Sequence, residues 1–364
     1  MNQKEHWLIQ IVAKHGDGSY RRADLFSQVF RYVLYCLSLV YRLIINIRNW
    51  AYDHRWFKVS KAAAPIISVG NLTTGGTGKT PFVMWLIEQF DRADDCSLAI
   101  VSRGYKTPQG SSLNDEGKEI ATRFPHVQQV QAADRVVAVQ SILQSGSNCK
   151  PPVIILDDGF QHRRLHRDLD IVLIDASNPL GYGYLLPRGA LREPLSSLRR
   201  ADIVVLTRSN LVTDVQKDQI REWVLSRNSN VKLAESIMTM DSLRQLDGST
   251  ERIDFLHNKK VSAFCGVGNP ESFRNSLQEI NVDVVHFEAF PDHHHFSAAE
   301  IDQFVDEAVT NQSQAIVCTV KDLVKIPDHI DPKIPIFALV ADLKITVGKP
   351  EIRTLLLAVS KSDS

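Results

Sequence analysis

Residues 68–82 read SVGNLTTGGTGKTPF, and the fold turns on how this stretch is read. A β-branched apolar run at 66–69 leads into it, and the apolar-periodic PFVMWLIEQF carries it on as a helix. The turn between them follows the phosphate-binding pattern GxxxxGK[ST]. Gly78, Lys79 and Thr80 fit that pattern, whereas Thr73 stands where the first glycine belongs. Gly75 and Gly76 restore the backbone freedom that lets an anion reach main-chain amides. Pro81 suits a helix's first turn, where its missing N–H costs nothing. Thr74, Gly75, Gly76, Thr77, Gly78, Lys79 and Thr80 are therefore the expected cradle for the phosphates of a nucleotide. The amides and the helix N-terminus would hold the β-phosphate. Lys79 would reach the β and γ oxygens, and the Thr80 hydroxyl would ligate Mg²⁺. The alternative is a glycine-rich turn without a ligand.

Working outward, continuous apolar runs at 66–69, 98–101, 153–156, 171–174 and 203–206 alternate with helical patterns. Runs of that kind are expected of parallel strands covered on both faces. They predict an α/β fold: a doubly wound α/β/α domain of the P-loop NTPase type over 59–228. A polar stretch, 229–260, contains the turn signal Asp247-Gly248 and reads as a two-stranded linker. Further runs at 261–265, 282–287, 315–319 and 336–340 predict a smaller α/β/α domain over 261–364. Lysine plus arginine equals aspartate plus glutamate in the 364-residue chain, 42 each. Nothing global thus attracts nucleic acid, and no nucleic-acid partner is expected. The 5 cysteines lack CxxC spacing, which leaves neither a disulfide framework nor a zinc site and points to a reducing compartment. The first twenty residues mix charges, histidines and glycine, and no cleavable signal peptide is read there.

The segment 1–58 has a different character. Residues 29–47, VFRYVLYCLSLVYRLIINI, are strongly apolar but interrupted by Arg31 and Arg42, which weakens a simple membrane-spanning reading. On a helix, Gln28, Arg31, Tyr35, Ser38, Arg42 and Asn46 share one narrow face. Such a helix can lie in a membrane interface with its arginines toward the headgroups, or be buried against a second layer of the protein. The flanking Trp50 and Trp56 are of a type common at interfacial depth.

Downstream, VIILDDGFQHRRLHRDLDIVLID puts Asp157 and Asp158 at the end of an apolar strand. Ligands of doubly wound sheets sit at that end of the strands. A carboxylate there can hold Mg²⁺ directly or through water. An Asp-Asp-Gly turn that only ends the strand is the alternative.

Four blocks carry a family resemblance: SVGNLTTGGTGKTP, LDDGFQHRRLHRDLDIVLID, LLPRGALREPLSSLRRADIVVLTR and CGVGNPESF with FPDHHHFS. Together they resemble the tetraacyldisaccharide 4′-kinases, from about residue 26 to about residue 343. The resemblance implies transfer of the γ-phosphate of Mg²⁺-ATP to the 4′-hydroxyl of a tetraacylated glucosamine disaccharide 1-phosphate, a step toward lipid A. It also implies a peripheral enzyme on the cytoplasmic face of the inner membrane, with an N-terminal amphipathic helix. The partners would then be the glycolipid and the membrane surface, and the site would lie between two α/β/α domains. The family's base, an aspartate–histidine pair, maps onto Asp115 in LNDEGKE and His293 in FPDHHHF, with His294 still possible. Arg192 in LREP matches a family arginine that would touch phosphate, or it forms an ion pair with Glu193 or another neighbour.

The match has departures. Residues flanking Asp115 differ from the family's Gly-Asp-Glu-Pro, Tyr182 interrupts Gly-Asn-Gly, and Val320 replaces a glutamate in TVKD. A zinc cluster at the histidines is a rival reading, but adjacent histidines in one loop rarely point at one metal. A membrane-associated ATPase switch is a rival of another class. Switches with a similar GGxGKT core carry a lysine where this chain has Thr74. A non-catalytic lipid-binding or partner-binding protein is the third reading, which the intact Lys79, Thr80 and Asp157 oppose.

Overall fold

The structure is a computed structural model that describes residues 25–92, 97–104, 113–145, 151–268, 270–292, 294–327 and 333–361. The candidate base His293 lies outside the described residues, and so does the side chain of Asp115. The chain divides into two compact units. Among the described residues, one spans Met238–Asp342, and the other holds Leu25–Ile237 together with the segment from Leu343 onward.

The larger unit is built on parallel strands. β1 (Ile66–Asn71), β2 (Leu98–Ser102), β3 (Gln128–Gln131), β4 (Val153–Asp157), β5 (Leu169–Asp175), β6 (Ile203–Thr207) and β7 (Lys232–Gln245) line up in the order β7-β6-β5-β1-β4-β2-β3. All six pairings between neighbours are parallel. β1 and β6 are buried along their whole length, as the apolar Ile66, Ile67 and Val69 of β1 and Ile203–Leu206 of β6 lead one to expect. The chain reverses its direction of travel around β1, so the turn after β1 opens at the topological switch point. The crossover helices are α2 (Lys79–Asp91), α3 (Asp115–Arg123), α4 (Arg135–Ser145) and α5 (Asp214–Leu225), all preceded by α1 (Leu25–Asp53). One core cluster joins Ile66, Val101, Ile142, Ile154 and Leu156; a second joins Leu72, Phe160, Val172, Leu198 and Val204. Each fully buried side chain of this size is worth about 1.5–3 kcal/mol.

The smaller unit carries β9 (Lys260–Cys265), β10 (Asp283–Ala289) and β11 (Ala315–Thr319), with helices α6 (Pro270–Glu279) and α7 (Ala298–Thr310). β9 lies between β10 and β11 and pairs with both in parallel. Phe264, Phe296 and Phe304 form its aromatic centre, with ring centroids 5.1 Å apart in each pair made by Phe264. A short strand, β8 (Thr250–Arg252), folds back on β7 as an antiparallel hairpin around Gly248, at the turn signalled by Asp247-Gly248.

Two segments differ from the sequence reading. β12 (Ile336–Val347) runs on past Asp342, and α8 (Lys349–Lys361), expected in the smaller domain, belongs to the larger unit. Gly348 permits the turn: its φ is +79°, and a Cβ there would lie 2.4 Å from the Leu233 carbonyl. The second difference concerns α1, whose buried line follows Ser38, Ile45 and Asn49, with Tyr41 and Arg48 partly covered. Of the polar face read from the sequence, Ser38 is buried and Arg31 partly covered, whereas Gln28, Tyr35, Arg42 and Asn46 are exposed. Val29, Val33, Val40, Leu43, Ile44 and Ile47 point outward and are exposed.

Gly70 is where the packing tolerates least. A Cβ there would sit 2.5 Å from Phe160 Cβ and 2.8 Å from Phe160 N. Gly70→Ala is expected to cost about 1–3 kcal/mol by overpacking, read as a lowered urea midpoint; an unchanged midpoint contradicts this packing.

Candidate active site

The turn after β1 is held from three sides. The buried Asn71 donates from Nδ2 to Thr77 Oγ1 at 2.9 Å, and the Thr207 hydroxyl at the end of β6 donates to the Thr77 carbonyl at 3.0 Å. On the third side, Thr74 N donates to Ala190 O at 2.7 Å and Arg192 N donates to Leu72 O at 2.7 Å. Gly75 and Gly78 take φ values of +107° and +84°, the conformations that the sequence reading required of glycines here. Lys79 and Thr80 open α2, so the unpaired amides of its first turn face the end of the sheet.

Asp157 and Asp158 end β4, where Asp157 pairs in register with Val69. Their electrostatic situations are opposite. Asp158 accepts from Arg192 Nη1 at 2.7 and 2.9 Å and lies 3.7 Å from Lys79 Nζ. Burial alone works to raise its carboxyl, but Lys79 and then Arg192 outweigh this and hold it below the ordinary range. Asp157 has no such partners. Its Oδ1 is buried without a hydrogen bond. Burial, followed by the nearby Glu116, pushes its pKa up to about 6, against the pull of Lys79. A buried, partnerless carboxylate oxygen beside a phosphate cradle fits a divalent cation. His162, in the next turn, is lowered to about 4 by burial and then by Arg135, which makes it neutral.

The structure thus gathers Lys79, Asp158 and Arg192 into one ion-paired cluster, with Thr80 next to Lys79 in the first turn of α2 and Asp157 at the end of β4. Arg192 is not paired with Glu193. That glutamate is fully buried and is held by Arg200 at 2.8 Å and Arg48 at 3.8 Å. Asp115 is the first residue of α3. In the smaller unit, His294 is engaged structurally: its Nε2 lies 3.1 Å from Glu300 Oε1, and its ring stacks on Phe290. Asp322 of TVKD is also internal, accepting from Gly266 N and from the Thr319 hydroxyl. Sequence reasoning did not single out Asn71 or Gln161, whose Nε2 donates to the Asn71 carbonyl at 2.7 Å. Nor did it single out Tyr41, whose hydroxyl donates to the Arg192 carbonyl at 2.9 Å. These contacts join positions far apart in the chain, and no local motif announces them.

Comparison with known proteins adds a family. Residues 30–361 match the family described as tetraacyldisaccharide-1-P 4′-kinase (LpxK). A tetraacyldisaccharide 4′-kinase of Halothermothrix orenii is 32% identical, with 94% of each chain covered. One of Chlorobaculum parvum is 36% identical, covering 83% of this chain and 86% of that protein. The crystal structure of LpxK from Aquifex aeolicus in complex with ATP is similar with a TM-score of 0.72 and 32% identity, covering 91% of this chain and 99% of that one.

The raised Asp157 pKa fixes a pH dependence. The folded chain prefers this carboxyl neutral, so its stabilising contribution is complete below about 3.8 and is lost as pH rises through about 6. In chelator-containing buffer, Asp157→Asn is expected to exceed the parent in stability above that range, by on the order of 2–3 kcal/mol. The gap should close in acid. A pH-independent gap in thermal denaturation contradicts the assignment.

Proposed function

The chain belongs to the tetraacyldisaccharide-1-phosphate 4′-kinase family, and from that premise we propose how its own residues perform the reaction. It binds ATP and phosphorylates a hydroxyl of the acylated disaccharide in the synthesis of lipid A. The observation that carries the assignment of roles is the convergence of Lys79 and Arg192 on Asp158 beside the cradle.

The amides of 74–80 and the start of α2 hold the phosphates. Lys79 and Arg192 lie against the β- and γ-oxygens and offset the charge that spreads over the transferring group. Thr80 and Asp157 are the residues that would hold Mg²⁺, with Asp158 beside them; the ion supplies positive charge to the β- and γ-oxygens when bound. The acceptor 4′-hydroxyl is a weak nucleophile at neutral pH. His293 accepts its proton as the new P–O bond forms and the bond to the ADP oxygen breaks, while Asp115 fixes the imidazole tautomer. The engagement of His294 with Glu300 and Phe290 supports His293 over its neighbour.

The lipid side of the reading rests on α1. Its outward face is a continuous apolar stripe, and Gln28–Asp53 is long and apolar enough to cross a membrane by length and composition. Its inner side carries the hydrogen bonds to the protein, so we place it along the inner membrane at the cytoplasmic face, stripe toward the acyl region. A cavity of about 670 Å³ lies beside it, lined by Tyr35, Leu39, Arg42, Leu185 and Leu195 among others. Its mixture of apolar walls and arginine suits an amphiphile.

Purified protein with γ-labelled ATP and the disaccharide 1-phosphate in micelles is expected to yield a labelled, doubly phosphorylated glycolipid. Label released only as inorganic phosphate would instead support the ATPase switch. Asp115→Ala and His293→Ala are each expected to lower turnover about 100- to 10,000-fold with ATP affinity retained. Unchanged turnover in either removes that residue from the base pair.

A further inference from the structure

We propose that Tyr41 of the N-terminal helix is a positioning residue for Arg192, which makes α1 part of the phosphoryl-transfer machinery as well as the lipid-facing element. The proposal rests on the reading of Arg192 given above.

Arg192 is fixed at both of its peptide groups. Its N–H donates to Leu72 O at 2.7 Å, inside the approach to the phosphate cradle. Its carbonyl accepts from Tyr41 Oη at 2.9 Å, across 151 positions of sequence. With both ends of the residue held, the guanidinium sets out from a defined place toward Asp158. Tyr41 is a protonated donor at neutral pH, as an ordinary phenol is, and burial, the first of its influences, raises its pKa further.

The same face of α1 makes further directional contacts. Arg48 and Asn49 reach the buried Glu193, next in sequence to Arg192, at 3.8 and 3.4 Å. Arg48 also donates to the Gln161 carbonyl. Arg163 donates to the Asn49 carbonyl at 3.0 Å and pairs with Asp53 at 2.7 Å. The helix is thus bonded to the two segments that follow the acidic pair and carry the arginine, 161–163 and 192–193. Apolar packing alone would retain a helix without fixing its axial position. Hydrogen bonds are directional, and a buried carboxylate such as Glu193 is costly without its partners.

Tyr41→Phe removes one hydroxyl and keeps the ring. In detergent micelles, where recruitment to a bilayer plays no part, kcat is expected to fall about 5- to 30-fold, the worth of one buried hydrogen bond. KM for both substrates and ATP affinity should stay near the parent values with the chain fully folded at the assay temperature, while the thermal midpoint drops by only a few degrees. Tyrosine fluorinated at one ring position keeps the donor and is expected to retain parental turnover. In an Arg192→Ala background, Tyr41→Phe should cost nothing further. Additive losses in that double variant overturn the proposal, as does a fall in kcat matched by a fall in ATP affinity or folded fraction. If Arg192→Ala alone leaves turnover intact, the role of Arg192 fails instead, and the two failures are distinguishable.

Discussion

One ionised carboxylate organises the site. Asp158 binds the guanidinium of Arg192 through both oxygens and faces the Lys79 ammonium, drawing together one cation from the start of α2 and one from far along the chain. Its backbone takes φ +54°, an unusual conformation for a non-glycine residue, which turns the side chain away from the strand direction. The strand's last residue, Asp157, keeps one carboxylate oxygen, Oδ1, buried without a hydrogen bond. Two adjacent aspartates therefore have different properties, one held charged by cations and one held partly neutral by burial. That division is what a phosphoryl-transfer site needs: a fixed positive clamp and a spare carboxylate for a metal.

The N-terminal helix is arranged inside out relative to a helix of a soluble protein. Tyr41, Arg48 and Asn49 hydrogen-bond to the fold beside the buried Ile45 and Ala51, and Val29, Val33, Val40, Leu43, Ile44 and Ile47 face outward. In water this arrangement leaves apolar surface uncovered, whereas against a bilayer both faces are satisfied. The inward contacts end on Arg192, Glu193, Gln161 and Arg163, so the element proposed to meet the lipid is hydrogen-bonded to the segments proposed to carry the phosphate-binding arginine.

Much of this was legible in the chain. Buried parallel strands announce themselves as unbroken apolar runs, and the glycine turn between strand and helix marks the switch point. β3, with the sequence QQVQ, was not legible, because a short edge strand is only partly buried and needs no apolar run. β12 and α8 were misplaced because a strand can leave one unit and continue into another without any change in its local pattern. Periodicity identified the polar face of α1 but could not say whether that face meets headgroups or protein. At the site, the cradle and both aspartates were readable as motifs. The partner of Arg192 was not, since LREP places Glu193 beside it in sequence while folding brings Asp158 to it.

The most direct test of the clamp is a crystal structure with Mg²⁺ and a non-hydrolysable ATP analogue. Lys79 and Arg192 are expected within hydrogen-bond distance of the terminal phosphate, with Asp157 on the metal. Arg192 remote from every phosphate oxygen, with Asp157 still unliganded, would contradict the account.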